Sequence, residues 1–229
     1  LKSNQCFFRH AVHSGKIQSY KKNKNKIILS VNSSANADGL ENLSSDSICG
    51  KTLIIDTKTQ EYKIYTSGHR NIIGMYSDKD IILATEHGPF AGDEINNIQE
   101  GQSYGWPISS YGEKYSRGQS NEPPNYKKDH ETHGFVEPIF SFVPAIGISE
   151  IIKLPNNFSE MWQDNFLVGS LNGNYLYRIK FDKNFSKIIY HERIFIGDRI
   201  RDIIYNGNSD EIFLSLELKG ELGIISKSE

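Results

Sequence analysis

No apolar run in this chain approaches the ~20 residues that a membrane-spanning helix needs, so the sequence offers no transmembrane segment. Cysteine is nearly missing. Cys6 and Cys49 are the only two, and no metal-ligand spacing relates them, which argues against a thiolate metal centre. They suit either a pair formed in an oxidising compartment or two free thiols, and free thiols are the simpler expectation. An excess of either charge is missing too: 26 basic side chains face 28 acidic ones, for a net charge of −2. That balance gives no bulk attraction to nucleic acid or to anionic membranes. The one basic run, Lys21-Lys22-Asn23-Lys24-Asn25-Lys26, reads as a solvated hairpin tip. No signal peptide is present. The chain opens Leu1-Lys2 rather than with Met, so the expectation is an N-terminally incomplete sequence whose lack of a signal says nothing of secretion.

Helical periodicity is scarce as well, with one short turn around residues 157–162 as the only candidate. What the chain does have is strands. Ile27-Ile28-Leu29-Ser30-Val31, Thr52-Leu53-Ile54-Ile55, Tyr62-Lys63-Ile64-Tyr65, Ile81-Ile82-Leu83-Ala84, Tyr175-Leu176-Tyr177-Arg178-Ile179 and Ile212-Phe213-Leu214-Ser215-Leu216 are all strand-like. Asp56-Thr57-Lys58-Thr59, Ser77-Asp78-Lys79 and Asp182-Lys183-Asn184 supply turn chemistry between them. Residues 99–147 lack periodicity and are too long for a plain connection, which suggests a functional or inserted loop.

Three hairpins share one register. Lys16, Arg70 and Arg201 each open a strand; eleven residues on stand Ile27, Ile81 and Ile212; sixteen on stand Asn32, Glu86 and Glu217. Repeated hairpins of this kind suggest a radial β-propeller, whose blades run ~40–50 residues. An unrepeated sandwich is the alternative. A six-bladed ring would need ~250–300 residues at that blade size, so the expectation is one partial domain over residues 1–229 that holds about four blades.

Residues 68–106 carry the chemistry. Gly68-His69-Arg70-Asn71 enters a strand, and Glu86-His87-Gly88-Pro89-Phe90-Ala91-Gly92-Asp93-Glu94 turns a corner after the next. Tyr104-Gly105-Trp106-Pro107 follows. Gly, Pro and acids suit a rigid loop that offers carbonyls and carboxylates to a hard cation such as calcium. Arg199 and Arg201, two apart on a strand, point to one face. They call for an anion between them, either a bound polycarboxylate or a neighbouring Asp198 or Asp202. His130-Glu131-Thr132-His133 has the wrong spacing for a helical zinc site and reads as an exposed loop.

In these motifs, from about Ser14 to Leu216, the chain resembles the glucose/sorbosone dehydrogenase family of soluble sugar dehydrogenases. The resemblance implies an all-β, six-bladed β-propeller of the soluble quinoprotein glucose dehydrogenase type. It further implies pyrroloquinoline quinone (PQQ) and calcium as cofactors. Arg70, Asn71, His87, Arg199 and Arg201 would then contact PQQ, while the carbonyls of Gly88 and Pro89 would hold the calcium beside it. Glu94 and Tyr104 would serve a second, structural calcium. The family's catalytic base falls at Val12 in this alignment, so the neighbouring His13 is the candidate base. Two further positions depart from the family pattern: Ala145 stands where a hydroxyl contacts the cofactor, and Asn172 where some members have a lysine.

The activity implied is oxidation of an aldose at C1, with an external electron acceptor and a periplasmic or secreted location. The rival reading is a non-catalytic, calcium-stabilised propeller that binds a glycan or a protein partner.

Overall fold

The computed structural model describes residues 15–33, 44–113 and 126–227, whose regular secondary structure is β-strand apart from short 3-10 helices. The chain divides into two compact units, Leu1–Ala145 and Ile146–Glu229.

In the first unit, strands β1 (Ile17–Ser19), β2 (Lys26–Val31), β3 (Lys51–Asp56) and β4 (Tyr62–Thr66) pair in chain order as an antiparallel sheet. A second sheet follows the same plan with β5 (Ile72–Ser77), β6 (Ile82–Glu86), β7 (Asp93–Asn97) and β8 (Phe140–Phe142). Aspartates close the tight turns, as their side chains suit. The Asp56 carboxylate accepts from the Lys58 and Thr59 amides at 2.9 and 3.1 Å. The Asp78 carboxylate accepts from Asp80 and Ile81, both at 2.8 Å. Ile28, Ile54 and Tyr65 of the first sheet share a buried core with Ile72, Met75, Ile82 and Ala84 of the second, joined by Ile98 and Tyr104.

The second unit repeats the arrangement. Strands β9 (Ile148–Lys153), β10 (Asn165–Ser170), β11 (Tyr175–Phe181) and β12 (Ile188–Phe195) form a four-stranded sheet. Strands β13 (Ile200–Asn206), β14 (Glu211–Leu216) and β15 (Glu221–Ile225) form a three-stranded one. Leu167 and Leu176 pack with Ile200, Ile203, Ile212 and Leu214 between the two sheets. The Ser149 hydroxyl donates to the Ile200 carbonyl at 2.6 Å. Gly169 has to lack a side chain here, because a Cβ would stand 2.3 Å from that hydroxyl oxygen.

The repeated hairpins are present where the register put them. β1 pairs antiparallel with β2, β5 with β6 and β13 with β14. Two expectations need correction. Residues 99–147 are not only loop, because Phe140–Phe142 returns as β8 to complete the second sheet beside β7. Cys49 is fully buried and disulfide-bonded, not a free thiol; Cys6 lies outside the described residues.

One cap anchors the entry to the last sheet. Asp198 is wholly buried, and its carboxylate accepts from the main-chain amides of Arg199, Leu218 and Lys219 at 2.6, 2.8 and 3.2 Å. Burial pushes this carboxyl up, but the three amides more than offset it and hold it below the ordinary aspartate value. The unfolded chain therefore takes up the proton first as pH falls. Asp198 contributes its full stabilisation above the ordinary range near 3.9 and loses it as pH drops through the lowered native value. Urea unfolding of Asp198→Asn beside the parent should show a less stable variant at pH 7 and a gap that narrows below pH ~4. A gap constant down to pH ~2 would contradict this account.

Candidate cofactor and metal site

The site begins with the segment that links β4 to β5. Gly68 takes a left-handed φ of 76°, which turns the chain so that His69 is buried and Arg70 emerges half-buried. The His69 ring stacks on Tyr104 at 4.7 Å, with Nε2 2.8 Å from the Thr66 hydroxyl and Nδ1 3.0 Å from a Glu86 oxygen. The other Glu86 oxygen accepts from the main-chain amides of Arg70 and Asn71. The Arg70 guanidinium donates to the His87 carbonyl at 3.0 Å and lies over the Trp106 ring at 5.5 Å. No carboxylate forms an ion pair with Arg70 among the described residues. The half-buried cation thus keeps its charge for something else, and an anion with carboxylate groups matches it chemically.

The corner between β6 and β7 is built on glycines. Ala91 and Gly92 take left-handed φ values of 70° and 72° in succession. A Cβ on Gly88 would sit 2.2 Å from the Ala91 carbonyl oxygen, and one on Gly92 would sit 2.2 Å from the Gly112 amide nitrogen. The main chain is therefore folded on itself, with no room for side chains. No hydrogen bond from a main-chain or side-chain donor reaches the carbonyl of Gly88 or Pro89 among the described residues. A buried proline with an unengaged carbonyl is uncommon, and two such oxygens fit a hard cation. Among the described residues no three His, Cys, Asp or Glu side chains come together as a metal-binding group.

Glu94 on β7 is buried. Burial pushes its carboxyl well above the ordinary glutamate value, and the charge of Glu86 adds to the effect, against the Asn96 amide that donates to it at 3.2 Å. Such a carboxylate gains most from a positive neighbour. Tyr104 spends its hydroxyl elsewhere: it donates to the Asn97 carbonyl and accepts from the Gln99 amide. The hydroxyl is therefore not the atom left for a ligand, and the Tyr104 main chain faces the His130 ring. Glu86, Gly88, Glu94, Tyr104 and Arg70 all line one small cavity of about 10 Å³, roughly the room of one water or ion.

His130 was missed by the sequence reading, which expected an exposed loop. It opens a short 3-10 helix, His130–His133, and is buried with its ring stacked on Tyr111 at 5.1 Å. Its ring faces the Tyr104 main chain on one side, and Nε2 stands 3.7 Å from a Glu94 oxygen. Burial holds the imidazole below its ordinary value, against the pull of the Glu137 carboxylate. The stretch gives no periodic signal, so its inward side was not legible from residue types.

In the second unit Arg199 and Arg201 share one carboxylate. Arg199 Nε lies 3.4 Å from Glu217, and Arg201 bonds the other oxygen of the same group. The anion between the two guanidiniums is thus Glu217 rather than Asp198 or Asp202. Arg201 is the extra residue of a β-bulge, since Ile200 pairs with Leu216 and Asp202 with Ser215. His13 and Val12 lie outside the described residues.

The profile of the glucose/sorbosone dehydrogenase family matches residues 42–223. The chain belongs to that family. A protein of Synechocystis sp. with no assigned activity is 32% identical over 162 residues, which cover 70% of this chain and 38% of the relative. An aldose sugar dehydrogenase of Escherichia coli is 30% identical over 164 residues, covering 70% and 43%. The chain thus spans about two fifths of the length of these relatives. A crystal structure of a glucose dehydrogenase superposes with a TM-score of 0.76 at 21% identity, covering 89% of this chain and 61% of that one. The PQQ-bound aldose sugar dehydrogenase of Streptomyces coelicolor gives 0.62 at 20% identity, covering 89% and 55%. The all-β fold is therefore of the propeller type of these glucose dehydrogenases.

The corner geometry has a direct test. Gly101 has a φ of 79° and open space around it, so Gly101→Ala should cost only backbone strain of roughly 1–2 kcal/mol. Gly92→Ala adds overpacking of roughly 1–3 kcal/mol to a similar strain. Urea unfolding should therefore find Gly92→Ala clearly less stable than Gly101→Ala, and equal losses would disprove the close approach.

Proposed function

We propose that this chain is part of a PQQ- and calcium-dependent dehydrogenase that oxidises aldose sugars at C1. The observation that carries the reading is one cavity lined both by Arg70 and by Gly88; among the described residues Arg70 has no carboxylate partner and the Gly88 carbonyl accepts no hydrogen bond. A cofactor that is itself polyanionic and chelates a cation needs that pairing of a guanidinium with carbonyl oxygens. Membership of the glucose/sorbosone dehydrogenase family supports the same chemistry.

Bound PQQ would supply the acceptor for the hydrogen and electron pair leaving the sugar, with calcium as a Lewis acid on its carbonyl. Arg70 and Asn71 would hold the cofactor's anionic edge, with His87 beside them and Arg199 and Arg201 as the second arginine pair. The Gly88 and Pro89 carbonyls would hold the calcium next to it. Glu94 and the main-chain oxygen of Tyr104 would take a second calcium, which relieves the buried charge of Glu94. His13 would accept the proton of the sugar hydroxyl, a role that wants a pKa near working pH. An external electron acceptor is needed to return the site to its oxidised state. A periplasmic or secreted location suits the disulfide-bonded Cys49, since such bonds persist in oxidising compartments.

The full-length protein, incubated with calcium and PQQ, should reduce an artificial dye with at least one aldose. Arg70→Ala should weaken PQQ roughly 10–100-fold in a direct titration, the value of a lost charged hydrogen bond. His13→Ala should lower turnover by about 10²–10⁴. Calcium should also raise the melting temperature and a chelator should lower it. If calcium stabilises the protein while neither PQQ binding nor dye reduction appears, the non-catalytic calcium-stabilised propeller becomes the better account.

A further inference from the structure

The stretch from Gly68 to Asn71 has a main-chain problem that a side chain solves. The β5–β6 ladder begins at the pair Ile72 and Glu86, so Arg70 and Asn71 lie ahead of its first rung. The amides of both donate to one Glu86 oxygen. Glu86 is only 4% exposed, and its second oxygen meets His69 Nδ1 at 3.0 Å. His69 is fixed in turn by the Thr66 hydroxyl, and Thr66 by Thr52. From the other side, the Arg70 carbonyl accepts from Ser33 at 2.9 Å and the Asn71 carbonyl from His87 at 3.0 Å. The backbone at 70–71 is thereby held by both its donors and its acceptors.

We propose that Glu86 is the positioning residue of the site, grasping Arg70 and Asn71 by their main chain so that the guanidinium is aimed at an anion without being neutralised. The inference rests on the cofactor reading above for the identity of that anion. Its physical core is where the carboxylate spends its oxygens. A glutamate this close to an arginine would ordinarily form an ion pair with its side chain. Here two amides and an imidazole occupy both oxygens, and the guanidinium turns instead to the neutral His87 carbonyl and the Trp106 face. Negative charge inside the site fixes the geometry, while positive charge stays available at its rim. The length of the side chain matters: an aspartate would draw the carboxylate back by one methylene, away from the two amides that donate to it.

The test uses the full-length protein with Glu86→Ala, Glu86→Asp and Glu86→Gln, each in a Trp162→Phe background so that Trp106 is the indole reporter of the described site. Amide hydrogen exchange at Arg70 and Asn71 should speed up at least tenfold in Glu86→Ala and Glu86→Asp, with a change in Trp106 emission as the cation leaves its face. PQQ affinity in the presence of calcium should fall at least tenfold although Arg70 is intact. Glu86→Gln, which keeps an acceptor oxygen at the same reach, should recover most of both. In the double variant with Arg70→Ala the losses should not add, because both changes remove one contact; a merely stabilising role would leave them additive. Glu86→Asp carries the reading if Glu86→Ala does not fold. Fast exchange with unchanged PQQ affinity would overturn the proposal, as would unchanged exchange in either variant. If the parent itself takes up no PQQ, the cofactor reading falls, and Glu86 is judged on exchange and Trp106 emission, where unchanged signals again overturn it.

Discussion

A carboxylate shut inside a sheet must find donors for all its lone pairs, and in this chain the search organises the first unit. Glu86 ends a strand where the ladder with its neighbour begins, and the two main-chain amides just ahead of that ladder and a buried imidazole are its donors. The stacking of His69 on Tyr104, and the anchoring of the Tyr104 hydroxyl in the preceding turn at Asn97 and Gln99, extend that order to the aromatic cluster. Polar groups that would be a liability in a dry core serve here as a frame.

The glycine corner answers a different need. The main chain can fold this tightly on itself only if no side chain intrudes, and the glycines at 88, 92 and 112 meet that condition. Burial of Asp93, Glu94 and Asn96 on β7 then brings acidic groups behind the corner. A strand of such composition has poor propensity for a sheet. It is held by its partners on both sides, β6 and β8.

Most of this architecture was legible. Alternating apolar runs, aspartate turns and the eleven-residue offset put the hairpins where they stand, because these signals are local. The glycine corner and the arginine were legible as chemistry for the same reason: their residue types are poor core material. Three things were not. β7 is too polar to read as a strand, and β8 is three residues long and reached across a long connection, so both depend on tertiary pairing. The burial of His130 depends on which ring it meets, Tyr111, nineteen residues earlier in a stretch without period. The partner of Arg199 and Arg201 was sought next door in sequence, while the hairpin brings Glu217 across from the neighbouring strand.

That shared glutamate makes the arginine pair an occupied receptor. Any external anion that engages both guanidiniums has to displace or share Glu217, which competes at an effective concentration fixed by the hairpin. All three side chains are partly exposed, so salt loosens the internal contact as well as the external one. The hairpin thus carries an internal competitor for the arginine pair, and a ligand with two negative groups is better placed than a singly charged one to match it, since it can meet both guanidiniums at once.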